Sequence, residues 1–271
     1  MTYDMPRGGP EAPWWDRKFE TGRAEYIDRP DSGEKCRRAL HGLDRLQRLT
    51  LGYRTVARHA LAQLDGVSAP RVLELGAGYG RLAQRLLARH PTVRVTVSDV
   101  NPRVVEELGA GSLGRHPRVT TAVLDATALD APDGAWDLVV CSTTAHHLPP
   151  AGVAALLREG TRVAGRLLIV DGWRSPLLLA AAPLMFLTGG WAHAHDGVIS
   201  LRKVYGPAAL HALAERCGAP VRLCTRFVPP GYLVAVATRP AARRPGAVER
   251  HTPEGTPRAG RPTGPRKGAE R

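Results

Sequence analysis

Val72-Leu73-Glu74-Leu75-Gly76-Ala77-Gly78-Tyr79-Gly80 runs from a short apolar segment carrying one carboxylate into glycine at every second position. Arg81-Leu82-Ala83-Gln84-Arg85-Leu86-Leu87 follows with helical spacing. The pattern predicts a buried strand that turns sharply into a helix. Its glycines supply positive φ and let a ligand approach where a Cβ would stand in the way. Downstream, Val93-Arg94-Val95-Thr96-Val97-Ser98 predicts a second strand with Asp99 at its tip. An acidic residue roughly 20 positions after a glycine turn can accept both hydrogen bonds of a ribose diol. The expectation is a nucleoside cofactor bound at the carboxyl ends of parallel strands.

A dinucleotide fingerprint needs a further glycine three positions after Gly78, and that position is Arg81. The spacing is instead acidic-x-Gly-x-Gly-x-Gly, which resembles the first motif of the class I S-adenosylmethionine-dependent methyltransferases. The resemblance implies S-adenosylmethionine as cofactor and methyl transfer as activity. It also implies roles for single residues: the backbone of Gly76, Ala77 and Gly78 against the aminoacyl part, and Glu74 ordering the loop and meeting the ammonium directly or through water. Asp99 then takes the ribose, Asp125 accepts from the adenine amino group, and Val100, Ala126 and Ser142 are placed in the same cofactor site. For Asp125 a plain helix or turn cap is the competing reading.

From this centre the alternation extends in both directions. Strands are expected at 71–75, 93–98, 118–123, 136–141 and 166–171, with helices at 80–90, 102–109 and 151–163 between them. Beyond an apolar insertion come a helix at 207–217, a strand at 220–228, the turn Pro229-Pro230-Gly231 and a strand at 232–238. The tight turn predicts an antiparallel hairpin. The fold class is therefore α/β: a Rossmann-like, seven-stranded, mostly parallel sheet ending in an antiparallel hairpin, with helices on both faces. Before it, residues 1–30 read as flexible. Residues 31–69 read as two helices covering the cofactor cleft, the first opened by an apparent capping box at Asp31-Ser32-Gly33-Glu34 and carrying Leu40, Leu43, Leu46 and Leu49. The methyltransferase-like domain is placed at 70–238. Three further stretches, Leu51-Gly52, His146-His147-Leu148 and His195 to Arg202, resemble a bacterial small-molecule methyltransferase group often found beside polyketide-synthase genes.

The formal charge of +13 invites a nucleic-acid reading, but its distribution argues otherwise. From Arg239 onward nine Arg or Lys face three Glu, in a segment rich in Pro and Gly without aromatics or periodicity. That basic tail, 239–271, is expected to be disordered. Nowhere do basic residues interleave with aromatics as a base-stacking surface requires, so no specific nucleic acid is expected. Cys36, Cys141, Cys217 and Cys224 lack metal-ligand or redox spacing and read as small core residues of a reducing, cytoplasmic protein. No signal peptide is visible, and the apolar run Leu177 to Leu187 is about half a membrane span, so no membrane span is expected.

Two histidine clusters could supply a base. Cys141-Ser142-Thr143-Thr144-Ala145-His146-His147 follows the fourth strand, the tip nearest the transferring methyl in the fold that the resemblance implies. Adjacent side chains of an extended segment point to opposite sides, so one of the pair is excluded from the cleft, and His147 leads because Leu148 can anchor the turn. The second cluster is His193, His195 and Asp196, in which His195 with Asp196 can deprotonate a phenol or enol. Asp196-Gly197 as a simple turn is the competing reading. No third metal ligand stands at a sensible spacing from the paired histidines, so no metal is expected. The stretch 173–200, with Trp173 and Trp191, is expected to cover an apolar small molecule, a phenolic, quinone or polyketide-like acceptor of secondary metabolism methylated on an oxygen or a carbon. The chain is expected to act as a monomer or homodimer. The alternatives are a non-catalytic cofactor-binding protein, or protein or nucleic-acid methylation. The second lacks the Asn/Asp-Pro-Pro-aromatic turn that, in this fold, holds an amino nitrogen; the sequence there is Ser142-Thr143-Thr144-Ala145.

Overall fold

Residues 5–29 and 31–240 are described by the computed structural model; from Ala241 onward the expected basic tail lies outside the described residues. In chain order the elements are α1 (Trp14–Phe19), α2 (Gly33–Leu49), α3 (Gly52–Ala62), β1 (Arg71–Leu75), α4 (Arg81–Arg89), β2 (Arg94–Asp99), α5 (Pro102–Ala110), β3 (Val119–Val123), β4 (Leu138–Ser142), α6 (Pro150–Ala164), β5 (Arg166–Gly172), α7 (Ala182–Lys203), α8 (Pro207–Arg216), β6 (Arg222–Val228) and β7 (Tyr232–Thr238).

The strands form one sheet in the order β3-β2-β1-β4-β5-β7-β6. The first five run parallel, while β7 is antiparallel to both β5 and β6. The central strands are mostly apolar because both faces are covered, with Glu74 in β1 and Asp171 in β5 as buried exceptions. Leu73, Val139, Leu167 and Ile169 pack on one side with Leu156 and Leu157 of α6 and Leu210 and Leu213 of α8. Val72, Val140, Leu168 and Val170 pack on the other side with Val56 of α3 and Leu82 and Leu86 of α4. Strand order reverses between β1 and β4, where Leu75 pairs with Cys141. In an open parallel sheet that reversal opens a crevice at the carboxyl ends of the strands.

Several expectations need correction. Residues 5–29 are docked rather than loose: Met5 and Ala12 are buried, the Gly206 amide donates to the Arg7 carbonyl at 2.7 Å, and Asp16 meets Arg174 at 2.9 Å. Ser32 caps α2 by position, but its side chain makes no capping bond, so the capping box does not form. The 173–200 insertion is a 3-10 turn (Pro176–Ala181) followed by α7, which is interrupted at Gly190 (φ 67°). Asp196-Gly197 is helical and not a turn. By length and composition alone, Pro176–Lys203 could cross a membrane. Within this fold it packs along α2 and buries His193, Asp196 and Lys203. Of the cysteines only Cys141 and Cys217 are buried; Cys36 is half-buried and Cys224 exposed.

Candidate active site

The loop after β1 lies where the sheet places it, at the switch between β1 and β4. Gly76, Gly78 and Gly80 all have positive φ. A Cβ on Gly76 would strike Thr144 Oγ1 at 2.4 Å, and one on Gly80 would strike the Leu113 side chain at 2.3 Å. Those two glycines serve the fold's own packing. A Cβ on Gly78 would meet nothing within 4 Å, so Gly78 is the glycine that faces open space, where a ligand can approach. The loop is tied down by the Ala77 amide donating to the Ser98 carbonyl (2.9 Å) and the Gly78 amide donating to Asp99 Oδ2 (3.4 Å).

Glu74 does not face this opening. It is buried and accepts a hydrogen bond from the Ala83 amide in the first turn of α4 (3.0 Å). Burial pushes its carboxyl up to about 8, against the smaller pull of that amide. Its loop-ordering role is visible, whereas contact with an ammonium is not. Asp99 is half-buried at the tip of β2, with Oδ1 also accepting from the Asn101 amide (3.0 Å), and Val100 beside it is 67% exposed. Asp125 Oδ1 accepts from both the amide (2.8 Å) and the hydroxyl (2.7 Å) of Thr127, the turn-capping arrangement weighed against a ligand role. The loop glycines, Asp99, Val100, Asp125, Ala126 and Ser142 form a row along the carboxyl ends of β1, β2, β3 and β4. An open backbone position, a half-exposed carboxylate and an exposed apolar side chain in that row fit a nucleoside with a ribose diol.

A second feature lies beyond the β4 tip. Thr143, a non-glycine residue at φ 50°, lines a cavity of about 320 Å³ whose walls come from α2 (Leu40, Leu43, Leu46), α7 (Leu184, Met185, Leu201) and the turn before α7 (Leu178, Ala181). Leu49, the fourth leucine of the run, has rotated off the stripe and is exposed, because spacing by threes drifts from the 3.6-residue turn. One end of the cavity is polar. Ala145–His147 form a 3-10 turn rather than an extended segment, so both rings project to the same side with centroids 4.2 Å apart. The expectation that one of them is excluded therefore fails, and both line the cavity.

His146, not His147, is the oriented member. Its Nδ1 lies 2.9 Å from both carboxylate oxygens of Asp171, at the end of β5, and its amide donates to Asp171 Oδ2 at 3.1 Å. A carboxylate only accepts, so Nδ1 carries the proton and Nε2 is left bare in the neutral ring. Burial pulls the His146 imidazole down, but Asp171 outweighs it and the net shift is upward. Burial opposes ionisation of Asp171, and the His146 contact outweighs it, so that carboxyl is lowered. Two acidic residues from the amino-terminal segment complete this end. Glu25 is 1% exposed, and its Oε2 accepts from Ser200 Oγ at 2.7 Å. Asp28 Oδ1 lies 2.9 Å from His147 Nδ1, and its carboxyl is held down to about 2, burial opposing and His147 and Lys203 prevailing.

His195 sits apart from the cavity. It stacks on Tyr26 (4.4 Å between centroids), and its Nδ1 lies 2.9 Å from Asp196 Oδ1. Asp196 is a clamp: its carboxylate accepts from the Tyr26 and Ile27 amides at 2.9 and 3.3 Å. His193 reaches the cavity, but its Nδ1 is taken by Thr188 Oγ1 and the Met185 carbonyl, both at 2.9 Å, and burial lowers its imidazole. The residues missed from sequence are thus Glu25, Asp28 and Asp171, and His146 was named there only as the second member of its pair.

Comparison with known proteins agrees with this geometry. Residues 72–165 match the family described as "Methyltransferase domain". Over 80 residues the chain is 39% identical to a malonyl-[acyl-carrier protein] O-methyltransferase of Geobacter sulfurreducens, covering 30% of each chain. Over 205 residues it is 26% identical to a 3-hydroxy-5-methyl-1-naphthoate 3-O-methyltransferase of Streptomyces sahachiroi, covering 69% of this chain and 57% of that one. The chain therefore spans less than two thirds of these relatives' own lengths. Its fold matches the crystal structure of the S-adenosylmethionine-dependent methyltransferase SibL in its apo form, with a TM-score of 0.54 at 24% identity over 83% of this chain and 65% of that one. Residues 72–165 thus match a methyltransferase domain, and the described residues share the fold of an S-adenosylmethionine-dependent methyltransferase.

Proposed function

We propose that the chain transfers a methyl group from S-adenosylmethionine to an oxygen of an apolar, hydroxyl-bearing small molecule, an aromatic or polyketide-like acceptor of the kind handled in secondary metabolism. The observation that carries this reading is the cavity itself: leucine walls ending at His146, whose ring Asp171 orients, immediately beyond the β4 tip. Bound S-adenosylmethionine supplies an already activated electrophilic methyl. The chain then has to hold acceptor and cofactor in line and exclude water, a contribution of roughly 7–11 kcal/mol when the geometry is right. Thr143, set between the cofactor row and the cavity, marks where the two ligands would meet. The polar end receives the acceptor's hydroxyl and takes up its proton. A phenol ionises near pH 10, so a positioned proton acceptor contributes roughly 10²–10⁴-fold at neutral pH.

The test is calorimetric binding of S-adenosylmethionine and its demethylated product, followed by mass spectrometry for the gain of one methyl group across phenols, hydroxynaphthoates and quinols. Cofactor binding with no acceptor methylated in that panel would refute the acceptor class. Failure of both cofactors to bind would refute the activity. In the active pair, His146→Ala should lower turnover at least a hundredfold while cofactor affinity stays within threefold. His195→Ala should leave turnover near that of the parent, because its ring lies outside the cavity.

A further inference from the structure

Glu25, His146 and His147 each offer a ligand atom, and these atoms lie within 4.8 Å of one another. Their origins explain why no spacing in the sequence announces them: the histidines follow β4, while Glu25 arrives from the amino-terminal segment that closes the cavity. His146 Nε2 is 3.9 Å and His147 Nδ1 is 4.0 Å from Glu25 Oε1. We propose that these three side chains hold a divalent transition-metal ion at the polar end of the acceptor cavity.

Four observations converge on it. First, Glu25 Oε1 and His147 Nδ1 are buried and have no hydrogen-bond partner, although polar atoms in such positions are normally satisfied. Lys203 Nζ stands 3.4 Å from Glu25 Oε1 and Asp28 Oδ1 stands 2.9 Å from His147 Nδ1, but both are ion-pair approaches without hydrogen-bond alignment. Second, the free oxygen of Glu25 is held in place, since Ser200 occupies its other oxygen. Third, His146 makes the outer contact typical of a metal-bound imidazole: Asp171 fixes Nδ1–H, sets the ring plane and leaves Nε2 bare toward Glu25. Fourth, Glu25, Asp28 and Asp171 bring three negative charges against the single positive charge of Lys203. That excess of acidic groups around the three ligand atoms favours a cation between them. Lys203 keeps Asp28 as partner, at 3.4 Å.

Two imidazoles and one carboxylate suit zinc, iron or manganese and leave positions open toward the cavity. An ion about 2.0–2.2 Å from each ligand needs donor atoms about 3.3–3.6 Å apart. The two histidine contacts of Glu25, at 3.9 and 4.0 Å, would have to shorten by a few tenths of an ångström, and the two rings would have to close together with them. An acceptor hydroxyl bound there would lose its proton at lower pH than in water. That last step rests on the proposed function; the binding of the ion does not.

The full-length chain, free of any affinity tag, is stripped with chelator and titrated with Co²⁺ while visible absorption is recorded. The expected result is one equivalent per chain with ligand-field bands in the visible. Glu25→Gln and His147→Ala should each weaken Co²⁺ binding at least tenfold, and Asp171→Asn about tenfold to hundredfold by releasing the His146 ring. His195→Ala should leave binding unchanged. Glu25→Gln is nearly isosteric, and circular dichroism verifies that each variant is folded. Absence of Co²⁺ binding by the parent, or binding unaltered in both Glu25→Gln and His147→Ala, overturns the proposal. S-adenosylmethionine calorimetry on the same samples separates the two claims. Cofactor binding without Co²⁺ binding defeats the metal site alone, and Co²⁺ binding without cofactor binding defeats the methyltransferase reading alone.

Discussion

Glu74 and Asp99 both end apolar strands with a carboxylate, yet burial gives them opposite work. Glu74 lies under α4 with a single amide for company, and its carboxyl is raised from 4.5 to about 8. The native state therefore keeps a proton that the unfolded chain releases once the pH passes about 4.5. Stability falls as pH rises through the window from about 4.5 to about 8, by at most about 1.4 kcal/mol per pH unit from this group. Glu74→Gln retains an acceptor for the Ala83 amide and does not titrate. In cofactor-free protein, the melting temperature of the parent should drop more between pH 5 and pH 8 than that of the variant, as scanning calorimetry would measure; parallel curves would show that the carboxylate stays ionised. Asp99 is half-exposed and ties the Gly78 and Asn101 amides while facing the open row. Asp99→Ala removes charge-assisted bonds worth roughly 1.5–3 kcal/mol each. It should weaken S-adenosylmethionine binding at least tenfold in calorimetry, and parental affinity in the variant would remove Asp99 from the site. Gly78→Val should do the same by filling the open position and straining a backbone at φ 50°.

At the scale of elements, α7 and the turn around Tyr26–Asp28 act as a pair. Asp196 on α7 accepts from two consecutive amides of that turn, and Ser200 one helical turn later holds Glu25. Asp196→Ala leaves those amides without their acceptor. It should cost about 1–3 kcal/mol in denaturant unfolding and should make residues 24–29 the first site of limited proteolysis. A variant as stable and as resistant as the parent would mean that the turn is held by other contacts. The sheet was legible because period-two burial and helical spacing are local signals: β1 and β7 fall on the residues read, and the other strands shift by one or two. One motif and the strand tips after it made legible that the loop glycines, Asp99, Val100, Asp125, Ala126 and Ser142 share one row; Glu74, read with them, lies beneath it. Asp171 carried the same signal as Asp99, an acid ending an apolar run at Leu167-Leu168-Ile169-Val170, and could have been found by it. Both rings lie on one side because the segment is a 3-10 turn, which no period in the sequence announces, and Asp171 at the end of β5 is what orients His146. Glu25 and Asp28 gave no local signal, since their segment has no period and is held by tertiary contacts: Asp196 on the Tyr26 and Ile27 amides, Ser200 on Glu25 and Lys203 on Asp28.

The whole molecule places its two candidate ligand sites on either side of the β4 tip and builds them differently. The cofactor row is made by the sheet itself, whose strand ends are fixed by ladders and two buried layers. The cavity proposed for the acceptor is walled by appended parts, α2, α7 and the stretch carrying Glu25 and Ile27, against Asp171 and Tyr232 of the sheet, and the appended parts are joined to the sheet through charged contacts. Arg174 is the main tie. Its guanidinium, 3% exposed, contacts both carboxylate oxygens of Asp16 and donates to the carbonyls of Arg202 and Val204. Arg174→Met keeps much of the volume but leaves Asp16 buried without its partner, a loss of about 3–5 kcal/mol. If the division holds, the damage should stay on the acceptor side. Hydrogen exchange should quicken in residues 14–29 and around 202–206 while the amides of β1, β2 and β4 keep their protection. S-adenosylmethionine affinity should remain within threefold, and the KM for the acceptor should rise more than kcat falls. Uniform loss of protection across the sheet together with loss of cofactor binding would show instead that the amino-terminal segment and the sheet fold as one cooperative unit.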